Sequence, residues 1–144
     1  MAAPVNPNVR SKRLISEDYV KTTMADWLER QGYIDVVPRM GRANGIDVEG
    51  KDPTSGVRLA IECKGESNAK NQWDNAWRNL SHGMFNLIKD TEDPGNRDEI
   101  ALAIPDTSDY RRRMDGLRDF CRRQGITVYW VSASGEVNSW GTSS

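Results

Sequence analysis

Apolar residues recur at helical spacing through Tyr19, Val20, Met24, Trp27 and Leu28, behind Ser16 and ahead of Gly32. This predicts a first helix with a serine N-cap and a glycine stop. Residues 33–37 form a short β-prone run closed by Pro38, and a glycine-rich turn at Gly41 to Gly45 leads into Ile46-Asp47-Val48-Glu49. After turn residues at 52–56, positions 57–64 alternate apolar with polar or small, which predicts a hairpin. Over residues 69–89, Trp73, Trp77, Leu80, Met84 and Leu87 share one helical stripe, read as the core face, while Gln72, Asn75, Asn79, His82 and Asn86 form a second. A loop at 90–98 precedes the nearly all-apolar run 100–104, as in a strand covered on both faces. Thr107 or Ser108 caps a last predicted helix with Tyr110, Met114, Leu117 and Cys121 inward and Gly125 as its stop, before a final strand at 126–131. The predicted order is α-β-β-β-α-β-α-β, an α/β fold with a mixed β-sheet flanked by helices.

With 144 residues, 37% of them hydrophobic, the chain has room for one domain, assigned to residues 14–144. Residues 1–13 carry two prolines and the cations Arg10, Lys12 and Arg13 without apolar periodicity, and read as a flexible basic arm. A formal net charge of −1 excludes a uniformly basic nucleic-acid coat protein but not a local basic face. Cys63 and Cys121 sit among apolar neighbours and read as reduced core thiols, and a single histidine, His82, excludes a Cys/His zinc set. No apolar run approaches the roughly 18 residues of a membrane span, and residues 1–13 lack a signal-like apolar stretch, so a cytoplasmic protein is expected.

The hairpin carries the chemistry. If residues 53–56 form its loop, Asp52 faces Val57, Val48 faces Ile61 and Asp47 faces Glu62. Asp47, Glu62 and Lys64 then share one face, and Ile46, Val48, Leu59, Ile61 and Cys63 the other. Two carboxylates directly opposite, with Cβ atoms roughly 4.5–5.5 Å apart, are destabilising unless a cation lies between them. Oxygen ligands suit a hard ion such as Mg²⁺ or Mn²⁺, completed by water and substrate phosphate.

Gly45-Ile46-Asp47, the hairpin, and Ile61-Glu62-Cys63-Lys64-Gly65 resemble the PD-(D/E)xK phosphodiesterase superfamily, whose restriction-endonuclease-like fold also includes Holliday-junction resolvases. The likeness extends to the element order from about residue 16 to 131, although Gly45-Ile46 stands where the superfamily has a proline before its aspartate. The resemblance implies Mg²⁺-dependent (or Mn²⁺-dependent) hydrolysis of DNA phosphodiesters. Asp47, Glu62 and the carbonyl of Cys63 would be metal ligands, and Lys64 would orient or activate the attacking water. It further implies a glutamate from the first helix near the metal, with Glu17 the best-placed match ahead of Asp18 and Glu29, and a catalytic glutamine on the next helix, matched by Gln72.

An isolated E-x-K means little, since alternating strands expose such residues routinely; the surrounding elements give it weight. Arg10, Lys12, Arg13, Arg42, Asn75 and Asn79 are the candidate DNA contacts, against a solvated surface as the bland reading. The arginines at 111–113, 118, 122 and 123 lie among Asp109, Asp115 and Asp119, so intra-helix pairing explains about half of their charge. Weak overall charge predicts that a homodimer or a larger complex completes DNA binding. The alternative is a catalytically silent module that keeps the fold to bind nucleic acid or a partner protein.

Overall fold

Ser16 starts the first helix: its hydroxyl accepts the Tyr19 N–H at 3.1 Å and caps α1 (Glu17–Arg30). In the computed structural model, which describes residues 14–68, 70–90, 92 and 95–140, α1 is followed by β1 (Ile34–Pro38), β2 (Val48–Lys51), β3 (Arg58–Cys63) and α2 (Gln72–Asp90). Then come β4 (Glu99–Pro105), α3 (Ser108–Asp115), α4 (Arg118–Arg123), β5 (Ile126–Val131) and β6 (Val137–Trp140). The predicted basic arm, with Arg10, Lys12 and Arg13, lies outside the described residues.

The strands form one six-stranded mixed sheet in sequential order β1 to β6. Strands β3, β4 and β5 run parallel, joined by crossover helices, and antiparallel partners flank them on both sides. Period-two alternation along β4 sorts the core into two layers. Ala101 and Ala103 face α1 with Val48, Leu59, Ile61 and Cys63, while Leu102 and Ile104 face α2, α3 and α4 with Val128 and Trp130. β4 is thus covered on both faces, as its apolar run predicts. Both cysteines are free and buried. Among the described residues no helix is long and apolar enough to cross a membrane.

Three expectations are corrected. The last predicted helix is two, α3 and α4, because Gly116 weakens the helix between them and the Leu117 N–H closes a tight turn onto Met114 O at 2.8 Å. A sixth strand, β6, pairs with β5 across a turn in which Gly135 takes φ 88°. Finally, α2 does not bury Trp73 and Trp77. It buries Ala76, Leu80, Gly83, Met84 and Leu87, and Trp77 is 58% exposed. Small residues decide the facing: a Cβ built at Gly83 would stand 3.0 Å from Leu102 Cδ1, so the helix approaches the sheet along a row where indoles would not fit. Trp73 instead packs beneath the Arg113 guanidinium, 3.5 Å from the ring centroid. Arg111 and Arg118 similarly lie over Trp130 and Trp140, so much of the arginine-rich segment serves packing.

Candidate active site

The hairpin has the predicted register: Val48 pairs with Ile61, Glu49 with Ala60, Gly50 with Leu59 and Lys51 with Arg58. Asp47 stands one residue before β2, where the strand leaves the Gly45 turn (φ 114°). Its Oδ2 accepts the Cys63 N–H at 2.8 Å, which holds the carboxylate against the end of β3. Glu62, half-buried on the α2 side, receives the Asn86 amide on Oε1 at 3.1 Å and lies 3.7 Å from Lys64 Nζ. Both carboxylates line a cleft of about 490 Å³ with Asn44, Gly45, Ile46, Asn86, Lys89 and Asp90. A larger cavity, about 750 Å³ beside α1 and the β5–β6 turn, is charged only by the exposed Asp26, Glu29 and Arg30.

Helix α1 closes the site from its other side. Ile15 and Glu66 exchange two hydrogen bonds, Glu66 N–H to Ile15 O at 2.7 Å and Ile15 N–H to Glu66 Oε1 at 3.1 Å. They clamp the helix start onto the chain leaving β3. The approach is so close that a Cβ at Gly65 would fall 2.1 Å from the Glu17 nitrogen. Glu17 is thereby suspended between two ammonium groups, Lys21 at 3.3 Å from Oε2 and Lys64 at 4.0 Å from Oε1. Lys21, only 1% exposed, also stands 3.6 Å from Asp47 Oδ1 and 3.9 Å from Asp18 Oδ1. Charges alternate along the chain Asp47, Lys21, Glu17, Lys64, Glu62.

Burial and the neighbouring Asp47 charge push the Glu62 carboxyl up to about 7, against the opposing pull of Asn86 and Lys64. For Lys21 burial opposes the charged form, but Asp47, Glu17 and Asp18 together outweigh it and its pKa rises. Burial, then the Asp47 and Glu62 charges, lift the Cys63 thiol well above its ordinary value, which keeps it protonated and unreactive.

Among the described residues no three His, Cys, Asp or Glu side chains group as a ready metal cage. Asp47 and Glu62 alone match the way Mg²⁺ is usually held, through one or two carboxylates with waters and a substrate phosphate completing the shell. The under-compensated Glu62 charge fits a divalent cation at that pair.

The structure thus brings Asp47, Glu62, Lys64, Cys63 and Glu17 together. Gln72 lies apart: it sits fourteen residues before Asn86 on α2, roughly 21 Å along the helix axis, and its amide donates to Ser67 O at 2.7 Å. Asn86 is the amide that reaches Glu62, from the same stripe. Asn79 turns inward rather than to a ligand, donating to Gly65 O at 2.7 Å and to Tyr110 Oη at 2.9 Å. Asn75 reaches Gln72 and Ser67, while Arg42 and His82 are exposed. Sequence reasoning missed Lys21, Asn44 and Lys89. The spacing of Lys21 with Met24, Ala25 and Leu28 does place that lysine on the buried stripe of α1.

No protein-family model, curated protein or solved structure matches the chain.

Proposed function

We propose that this chain is a Mg²⁺-dependent (or Mn²⁺-dependent) phosphodiesterase that hydrolyses DNA, with a restriction-endonuclease-like core of the PD-(D/E)xK kind. The observation that carries the reading is the convergence of Asp47, Glu62 and Lys64 beside one cleft, with the Glu62 carboxyl pushed up by burial and by the Asp47 charge. A divalent cation held by Asp47 and Glu62 would supply an acidified water and neutralise charge developing on the phosphate. The chain supplies the rest. The Cys63 N–H and Lys21 fix the Asp47 carboxylate, and Asn86 fixes Glu62. Lys64, between Glu62 and Glu17, holds a positive charge where the phosphoryl oxygens would gather. Lys89 and Asn44 on the cleft wall would meet the flanking phosphates. DNA as the substrate rests on the family resemblance, and a homodimer or larger complex would supply the remaining contacts to a duplex.

The second reading is a silent binding module, favoured by the ammonium partner that each carboxylate already has, Lys21 for Asp47 and Lys64 for Glu62. The two separate on incubation with Mn²⁺ and supercoiled, linear, single-stranded, mismatched and four-way-junction DNAs. Cleavage of at least one form, lost in Asp47→Ala and strongly reduced in Lys64→Ala, is expected. Binding without cleavage of any form would leave the module.

A further inference from the structure

We infer that Lys21 is a positioning residue standing in the place of a second cation, so that the site takes one divalent ion per chain and not two. This rests on the metal-dependent reading above and specifies its stoichiometry.

Lys21 Nζ is a cation enclosed by oxygens. Oxygens converge on it from four residues: Glu17 Oε2 at 3.3 Å, Gly41 O at 3.5 Å, Asp47 Oδ1 at 3.6 Å and Asp18 Oδ1 at 3.9 Å. The side chain is only 1% exposed, a placement that is unfavourable for an ammonium group unless acceptors surround the charge. The position is built into the fold. Lys21 lies one turn after Glu17 on α1, the Ile15–Glu66 hydrogen bonds and the Gly65 approach fix where that helix starts, and Asp18 Oδ1 accepts the Gly41 N–H at 3.2 Å, tying the glycine-rich turn to the helix.

Two consequences follow for ligation. Glu17 has one oxygen toward Lys21 and the other toward Lys64, so it joins two ammonium groups instead of extending the Asp47–Glu62 pair. The Oδ1 side of Asp47 is likewise engaged by Lys21. Asp47, Glu62, Glu17 and Asp18 against Lys21 and Lys64 leave two net negative charges when all are ionised. A single divalent ion neutralises the cluster. A second would leave two net positive charges, with Glu17 and Asp18 already held by Lys21. Removing the ammonium reverses the situation, since three carboxylates, Glu17, Asp18 and Asp47, and the Gly41 carbonyl would then surround a vacated point.

The test counts bound Mn²⁺ on the metal-free full chain at neutral pH, by the loss of the free-ion paramagnetic resonance signal and by calorimetric titration. The native protein is expected to bind one ion, Lys21→Met two, and Lys21→Arg, which keeps the charge, one. Two ions on the native chain, or one on a folded Lys21→Met, would overturn the inference while leaving the metal-dependent reading intact. No ion on the native chain would remove both. The native count stands whether or not the methionine variant folds.

Discussion

Replacing Glu62 by glutamine should make the metal-free protein more stable at alkaline pH and change it little in acid. Burial and the Asp47 charge raise the folded-state pKa of Glu62 from an ordinary 4.5 to about 7. Between those values the native state holds a proton that the unfolded chain has released. The stabilisation is therefore fully present below pH 4.5 and is lost as pH rises through about 7. At about 1.4 kcal/mol per pH unit, that interval sets a ceiling of about 3.5 kcal/mol. The side chain is 14% exposed and faces an open cleft, so screening brings the expected cost nearer about 2 kcal/mol. Glutamine keeps the shape, can still meet Asn86, and does not titrate. Urea unfolding in a chelating buffer, at pH 5 and pH 8, measures the native-minus-variant difference, in which titrating groups remote from Glu62 cancel. The variant should be more stable than native by less than about 1 kcal/mol at pH 5 and by about 2 kcal/mol at pH 8. An equal difference at both pH values, or a native protein more stable than the variant at pH 8, would refute the argument that Asp47 and Glu62 share an under-compensated site.

Gly65→Ala should cost about 3 kcal/mol or more in urea unfolding, because its Cβ meets backbone that cannot yield without moving the start of α1; a loss below about 1 kcal/mol would contradict that fit. Leu80→Ala should cost about 2–5 kcal/mol and the exposed Trp77→Ala less than about 1 kcal/mol by the same measurement, an order that reverses if the indole is the core anchor. Tyr110→Phe should cost about 1–2 kcal/mol, since the phenol loses both its donation to Gly65 O and the bond it accepts from Asn79, whose amide keeps its own bond to that carbonyl. Its phenol, pushed up to about 12 by burial, should show no titration in absorbance below pH 11.

The hairpin's two faces were legible from the turn residues at 52–56 and the strict alternation over 57–64, whereas its register was not, since a two-residue slip keeps the same faces; the structure has the register in which Val48 meets Ile61. Strand β4 was legible from its unbroken apolar run. Where two patterns on one element competed, reading by hydrophobicity failed. On α2 the largest side chains mark a stripe, but Ala76 and Gly83 mark the face that approaches the sheet. The amide stripe on that helix was visible as a stripe, yet which amide reaches Glu62 depends on how far the helix runs past β3, a tertiary quantity. Strand β6 is four residues long with an intermediate-exposed-exposed-intermediate burial pattern, too short for periodicity to separate it from a chain end. Lys21 was missed because a lysine four residues after a glutamate ordinarily makes a solvated helix pair. Only its coincidence with the Met24 and Leu28 stripe signals that it points inward.

Thermal melting of the native chain and of Asp47→Asn, with and without Mn²⁺ at neutral pH, addresses most directly whether opposed carboxylates at the hairpin end form a divalent-cation site. Mn²⁺ should raise the native midpoint, as any ligand that binds only the folded state must, and leave the asparagine variant unmoved. Native protein indifferent to the ion, or a variant that gains as much as native, would show that Asp47 and Glu62 hold no such cation.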